Sequence, residues 1–380
     1  MSIGLLTLQD RERVDFARLR AERRARLFAA MEGAGLDVLV LGRPANVQYA
    51  SGARQLWMSG TRSFAPGCVV VRSTQAVHLL SMYDVGVPAE IPREHLYSMS
   101  WDPQKLNDAV AAIPGLAVAT RLGTDAMTPM FRSLLGAAAP NAAFVDATAT
   151  LRRARERKTI DELGCIRTAI ALAEAGLGAL KEAAQPGASE RELLGLFAER
   201  LAHLGAPTAA SEAVACITGR ETPHLRHAVS DRRIEPGDLI VLQAGALYAG
   251  YEGGISRTVV AGGAPRHGPA ATLAARGRSG LDTMIAACRA GATGADIRSA
   301  WASIHPGTAP APRPPVPLAY GVGLGVESPV VADGIGDHEV LVAESVLAVQ
   351  CWVAEEGVGG HLERDLVRIS DGEPEILTRG

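Results

Sequence analysis

VLQAGALYAGYEGGISRTVV, Val241 to Val260, reads as two apolar strands joined at the tight tip Tyr248-Ala249-Gly250-Tyr251. Two features sit oddly in such a hairpin. Gln243 puts an amide into an apolar run, and Gly253-Gly254 removes side chains where a strand should pack them. Beside them, Glu252 is a carboxylate facing either a pocket or solvent; alternation cannot decide next to two glycines. A second chemical cluster is TGRETPHLRHAVSDRR, residues 218–233, with His224, Arg226 and His227. Histidine is suited to proton transfer near neutral pH, and the plain alternative is a ring that caps the loop. Glu327 is a carboxylate in the glycine-rich YGVGLGVESP. It could act as an acid, a base or a partner for a substrate cation, or merely form an ion pair with an arginine such as Arg364. That glycine-rich run lacks a following helix and a Gly-Lys-Ser/Thr, so it is no phosphate loop. Cys351 beside Trp352 offers a thiol, for which a buried inert cysteine is the commoner reading.

These residues need elements to hold them. Residues 10–35 carry apolar positions at helical spacing, and 36–42 read as a buried strand. Residues 66–72 and 75–81 form a hairpin, 105–113 a helix and 116–125 a strand. The α/β alternation ends near the charged stretch ATLRRARERKTIDE, placing a domain boundary at about 150. Two amphipathic helices follow, about 159–184 and 188–204, broken by Pro186-Gly187 with Ser189 positioned to cap the second. From 212 onward strands dominate, interrupted by one helix at about 267–291, and proline-dense residues 306–320 form a loop. The expected architecture is an α/β domain, 1–150, followed by an α+β domain, 151–380, built on a curved antiparallel sheet.

Composition narrows the function classes. A chain of 380 residues with 47% apolar and 21% charged residues supports two domains with sizeable cores. The net charge of −3 gives no electrostatic case for nucleic acid. No apolar run is read as a membrane span, and the N-terminus lacks the leading charge and cleavage-like site of a signal peptide. The five cysteines are scattered singly, which fits a reducing cytoplasmic setting rather than a disulfide frame or zinc knuckle. Abundant Ala, Gly, Pro and Arg over Lys suggests a high-GC bacterial coding bias.

Six segments in order carry a resemblance: LRRARERKTIDELGCIRTA, QPGASERELL, EPGDLIVLQAG with GYEGGISRT, YGVGLGVESP, ESVLAVQCWV and GGHLERDLVRIS. Together they resemble the pita-bread family of prolidases, aminopeptidases P, methionine aminopeptidases and creatinase, over nearly the whole chain. The family's peptidases bind two divalent metals through two Asp, one His and two Glu. By the resemblance these positions hold Gln243, Gly254, Tyr320, Gln350 and Arg364, so all five ligands are absent. Hard divalent ions need anionic oxygen or imidazole donors, and this set offers none. A dead site in neutral decay is the bland reading; against it, Gln, Gln, Tyr and Arg make a hydrogen-bonding set, as in a repurposed polar pocket.

The resemblance also marks 218–233 as the substrate-side segment. An ungapped count puts the family histidine on Arg226, and pairing Pro223-His224 with the motif needs a two-residue insertion. Glu327 falls where a second, substrate-facing His is usual. Creatinase is the precedent for metal-free C–N hydrolysis on this fold, but two of its characteristic carboxylates fall on Ser256 and Gln350, which disfavours creatine. The expectation is therefore a metal-independent hydrolase of a small polar or anionic metabolite, with no metal or other cofactor. His224, His227 and Glu327 would be catalytic. Arg226, Gln243, Glu252, Tyr320, Gln350 and Arg364 would bind substrate. A lyase or rearrangement enzyme, or a non-catalytic scaffold, remains the alternative. The resemblance further implies a homodimer in which Trp57 of one subunit could reach the other's pocket.

Overall fold

A computed structural model describes residues 14–53, 67–80, 86–97, 102–206, 214–221, 223–226, 228–263, 267–305 and 315–379. The chain divides after Arg155 into two compact units.

In the first unit, α1 (Phe16–Gly33) precedes β1 (Val38–Leu41), α2 (Pro44–Ser51), β2 (Cys68–Val71), β3 (Ala76–Leu80) and β4 (Leu96–Tyr97). Then come α3 (Pro103–Ala111), β5 (Arg121–Thr124), α4 (Pro129–Ala138), β6 (Ala143–Asp146) and α5 (Thr148–Arg155). The sheet order is β4-β3-β2-β1-β5-β6, with the expected β2–β3 hairpin antiparallel and β1, β5 and β6 mutually parallel. Asp37 ties β1 to β5. It accepts hydrogen bonds from the Thr120 amide and hydroxyl, the Arg121 amide and the Arg72 guanidinium. These bonds, the Thr120 amide's first, outweigh burial and hold its carboxyl down at about 2. Helix α5 continues past residue 150 because Leu151 and Ala154 are buried apolar positions.

The second unit opens with α6 (Ile160–Ala183) and α7 (Glu190–His203). Both start in a capping box: Thr159 with Glu162, and the expected Ser189 with Glu192. By length and composition α6 is apolar enough to cross a membrane, although no apolar run in the sequence is read as a span. In the structure it is a core helix, with Ala173, Leu177 and Leu180 packed against Ala244, Ala246 and Ile255 of the sheet. The strands are β7 (Ala215–Ile217), β8 (Leu239–Tyr248), β9 (Tyr251–Val260), β10 (Ala319–Gly323), β11 (Gly325–Val331), β12 (Val346–Glu355), β13 (Gly359–Arg368) and β14 (Glu375–Ile376). Their order is β11-β10-β12-β13-β9-β8-β7, with β14 on β13, and every pairing is antiparallel. Between β9 and β10 the structure has two helices, α8 (Pro269–Ala286) and α9 (Gly294–Ser303), where the sequence suggested one.

Strand alternation separates the two faces of this sheet. Leu347, Val349, Cys351 and Val353 of β12 join Leu281, Met284 and Trp301 in the core under α8 and α9. The alternate residues face away from the helices. On that face Val241, Trp352 and Leu362 pack with Leu225, which lays the segment around His224 over it.

Candidate functional site

Alternation and register decide which side chains share the face turned away from the helices. On β9, Gly253 faces α6. A Cβ there would lie 2.3 Å from the Ile170 nitrogen and 2.4 Å from the Ala169 carbonyl carbon. Only glycine lets the helix come so close to the strand. Glu252, Gly254 and Ser256 therefore point to the other face, which settles the ambiguity over Glu252. Gln243 is directly opposite Ser256 on β8, and Arg364 is opposite Ser256 on β13. Gln350 is opposite Arg364, and Tyr320 pairs with Ala348 two residues before Gln350. The five positions marked as ligand positions thus share one face.

At its centre lies the Arg364 guanidinium. A Cβ on Gly254 would come within 3.0 Å of Nη2 and 3.4 Å of Cζ, so the arginine fills the space a side chain at 254 would occupy. Nη1 donates to the Tyr320 hydroxyl at 3.2 Å. Nε and Nη2 are buried and have no hydrogen-bond partner among the described residues, and neither has the buried Ser256 hydroxyl. Gln350 is turned aside, donating from Nε2 to the Pro317 carbonyl at 2.6 Å. Burial raises the proton affinity of Glu252, and the field of Arg364 opposes it only in part. A divalent pair does not fit this arrangement, because a guanidinium replaces a carboxylate and an amide, a phenol and a bare glycine complete the set. Among the described residues no group of three or more His, Cys, Asp or Glu side chains could hold a metal ion.

The other expected residues are placed differently. Arg226 is turned to Glu190, a fully buried carboxylate (0% exposed), through both Nη1, at 3.0 Å, and Nη2. Glu190 also accepts from the Ile217 amide at 2.7 Å and from the Ser230 amide and hydroxyl, each at 2.8 Å. Burial pushes the Glu190 carboxyl up, but these partners hold it below its ordinary value. Arg226 thereby anchors the loop to α7 instead of reaching the face beside Arg364. His224 is exposed, next to the buried Leu225; His227 and Trp57 lie outside the described residues. Glu327 forms a 2.6 Å ion pair with Lys158, and its other oxygen accepts from the Leu324 amide. The partner is a lysine, not Arg364, because the chain entering α6 passes β11 there. Cys351 points into the helix-side core, where burial first and Glu363 second push its thiol up to about 12, so it is no nucleophile at neutral pH. Sequence reasoning named Ser256 only as the position of a creatinase carboxylate, not as a binding residue, and missed Lys158 as the partner of Glu327. Period-2 counting from Gly254 would have found the serine; nothing local signals the lysine.

Comparison with known proteins agrees with this architecture. Residues 164–371 match the family described as metallopeptidase family M24, and residues 23–157 match the creatinase/prolidase N-terminal domain. An Xaa-Pro dipeptidase of Pyrococcus horikoshii is 27% identical over 243 residues, 63% of this chain and 64% of that protein. A creatinase of a Bacillus species is 26% identical over 247 residues, 62% of this chain and 59% of that protein. The matches thus span less than two thirds of these curated relatives. Among solved structures, the prolidase of Pyrococcus horikoshii superposes with a TM-score of 0.75 at 23% identity, covering 94% of this chain and 98% of that one. An Xaa-Pro dipeptidase from Bacillus anthracis gives 0.77 at 21%, covering 95% and 98%. With the M24 match spanning more than half of its length behind a creatinase/prolidase N-terminal domain, the chain belongs to metallopeptidase family M24, a family of creatinase- and prolidase-like hydrolases.

Proposed function

We propose that this chain is a hydrolase that cleaves a C–N bond in a small polar metabolite on the Arg364 face, without a divalent metal and in a reducing, cytoplasmic setting. The observation that carries the reading is the guanidinium over Gly254. It puts a fixed positive charge where the resemblance implies a metal-binding carboxylate, within a set of polar groups rather than an apolar plug.

The chain's own residues supply what such a cleavage needs. Expulsion of an amine requires a proton on the departing nitrogen. Glu252, whose burial favours its neutral form, is the group suited to hold and deliver it. His224, borne on the segment that covers the same face, is suited to take the proton from the attacking water. Tyr320 accepts from Arg364 and keeps its own O–H to donate to negative charge developing on the substrate's oxygen.

The test is amine release from a panel of small N-acyl and N-carbamoyl amino acids, ureas, creatine and glycylproline, with protein stripped by EDTA and checked for metal content. Turnover should survive chelation and fall by roughly a hundredfold or more in Glu252→Gln. Turnover that appears only when manganese or cobalt is added back would overturn the reading.

A further inference from the structure

We propose that Arg364 and Ser256 form a clamp for a carboxylate, so that the metabolite taken by this site is a small carboxylic acid held through that group. This rests on reading the face as a small-molecule site, as above, and adds the chemical class of the ligand.

Buried donors on this face lack partners among the described residues. Arg364 is 6% exposed and Ser256 is 0% exposed. Buried polar groups in folded proteins nearly always have partners, so an orphaned cluster demands an account. Here three orphans stand together: Nε and Nη2 of Arg364, and Oγ of Ser256, the residue directly opposite in the β9–β13 register. Their identity is specific. The Nε–H and the near Nη2–H are the two parallel donors along one edge of a guanidinium, the edge that grips a carboxylate with two hydrogen bonds. The remaining nitrogen, Nη1, is held by Tyr320, which fixes the plane of the group and leaves the edge intact.

Charge leads to the same ligand. A buried guanidinium is costly without an anion. Glu252 lies near enough for its charge to be felt, yet it makes no hydrogen bond with Arg364 and its burial favours the neutral acid. A ligand carboxylate would supply the missing charge and fill the fork, with the Ser256 hydroxyl donating to one of its oxygens. The bare Cα of Gly254, beside Nη2, leaves room for it; any side chain there would press on the guanidinium.

Calorimetric titration of the full chain decides the matter, using N-acetylglycine, its uncharged isostere N-acetylglycinamide, and inorganic phosphate. The acid should bind saturably at one site per chain, with the amide at least about tenfold weaker. Arg364→Lys keeps the charge but loses the fork, and should weaken the acid about tenfold or more. Ser256→Ala removes only a hydroxyl and should weaken it several-fold, so the test stands even if the arginine variant does not fold. Equal binding of acid and amide, or phosphate binding without acid binding, overturns the clamp. Unchanged affinity in the folded variants does the same. The clamp and the hydrolase reading fail separately. Acid binding with no turnover of any acid in the panel defeats only the hydrolase, and turnover confined to uncharged substrates defeats only the clamp.

Discussion

Gly253 and Gly254 are neighbours with opposite duties: one admits the α6 backbone and the other admits a guanidinium. Their alanine variants should separate accordingly. Gly253→Ala drives a methyl into helix backbone that has nowhere to go, and should cost roughly 2–4 kcal/mol. Gly254→Ala meets the far end of a flexible side chain, and its stability should stay within about 1 kcal/mol of the parent. Urea unfolding of the two side by side checks this, and equal losses would contradict it. Glu252 gives a second residue-scale expectation. Its proton is held more tightly in the folded chain than in the unfolded one. The favourable contribution is therefore complete at acid pH, below the ordinary carboxylate range, and is lost as pH rises through the raised value. Glu252→Gln stays neutral throughout. The gain in Tm of the variant over the parent should grow between about pH 4 and pH 8. A constant difference would mean that Glu252 titrates normally.

Among the elements, α7 shows how far a local signal reaches. Ser189 accepts from the Glu192 amide at 3.2 Å, and the Glu192 side chain accepts from the Ser189 amide at 2.7 Å. Ser189→Ala should cost about 1 kcal/mol in a thermal or denaturant melt. The capping box could be read from Ser-x-x-Glu alone, as could the hairpin of β8 and β9 and the period-2 strands. Helix α9 was overlooked although Thr293 and Asp296 make the same kind of box, because α8 was expected to absorb the stretch before it. Other features were out of reach for a physical reason. Glu190 and Arg226 are 36 residues apart, and Lys158 and Glu327 are 169 apart; such pairs exist only once the chain has folded. The site itself was half legible. Gln243, Gly254, Tyr320, Gln350 and Arg364 follow from aligned positions, whereas the empty fork of Arg364 depends on coordinates.

At the scale of the molecule, buried charge is distributed unevenly. Asp365, on the helix side of β13, is fully buried. It is held by Arg257 at 2.5 Å, Arg379 at 2.7 Å and the Thr378 hydroxyl at 2.9 Å, which ties the chain's C-terminal residues to the sheet. Asp365→Ala leaves those cations without their central anion, and should cost about 3–5 kcal/mol in denaturant unfolding. The first unit carries a different sensitivity. His78 is buried with its ring 4.2 Å from that of His95, and burial first, then that neighbour, lowers its pKa from 6.5 to about 4. Being held neutral, it contributes stability above its ordinary value that is lost as pH falls toward about 4. His78→Phe should blunt the loss of Tm across that window; an unchanged acid slope would assign it to other groups.

The guanidinium over Gly254 also fixes the order in which this sequence could be rebuilt as a metal binder. Asp placed at 254 first would meet Nη2 and lock into an internal ion pair, closing the face while recruiting no cation. Glu placed at 364 first would face Tyr320, Gln243 and Gln350, a lone acid without companion ligands. Each single step therefore ends in a chain that neither grips an anion nor holds a metal, and the two designs are separated by a valley that only simultaneous substitutions cross.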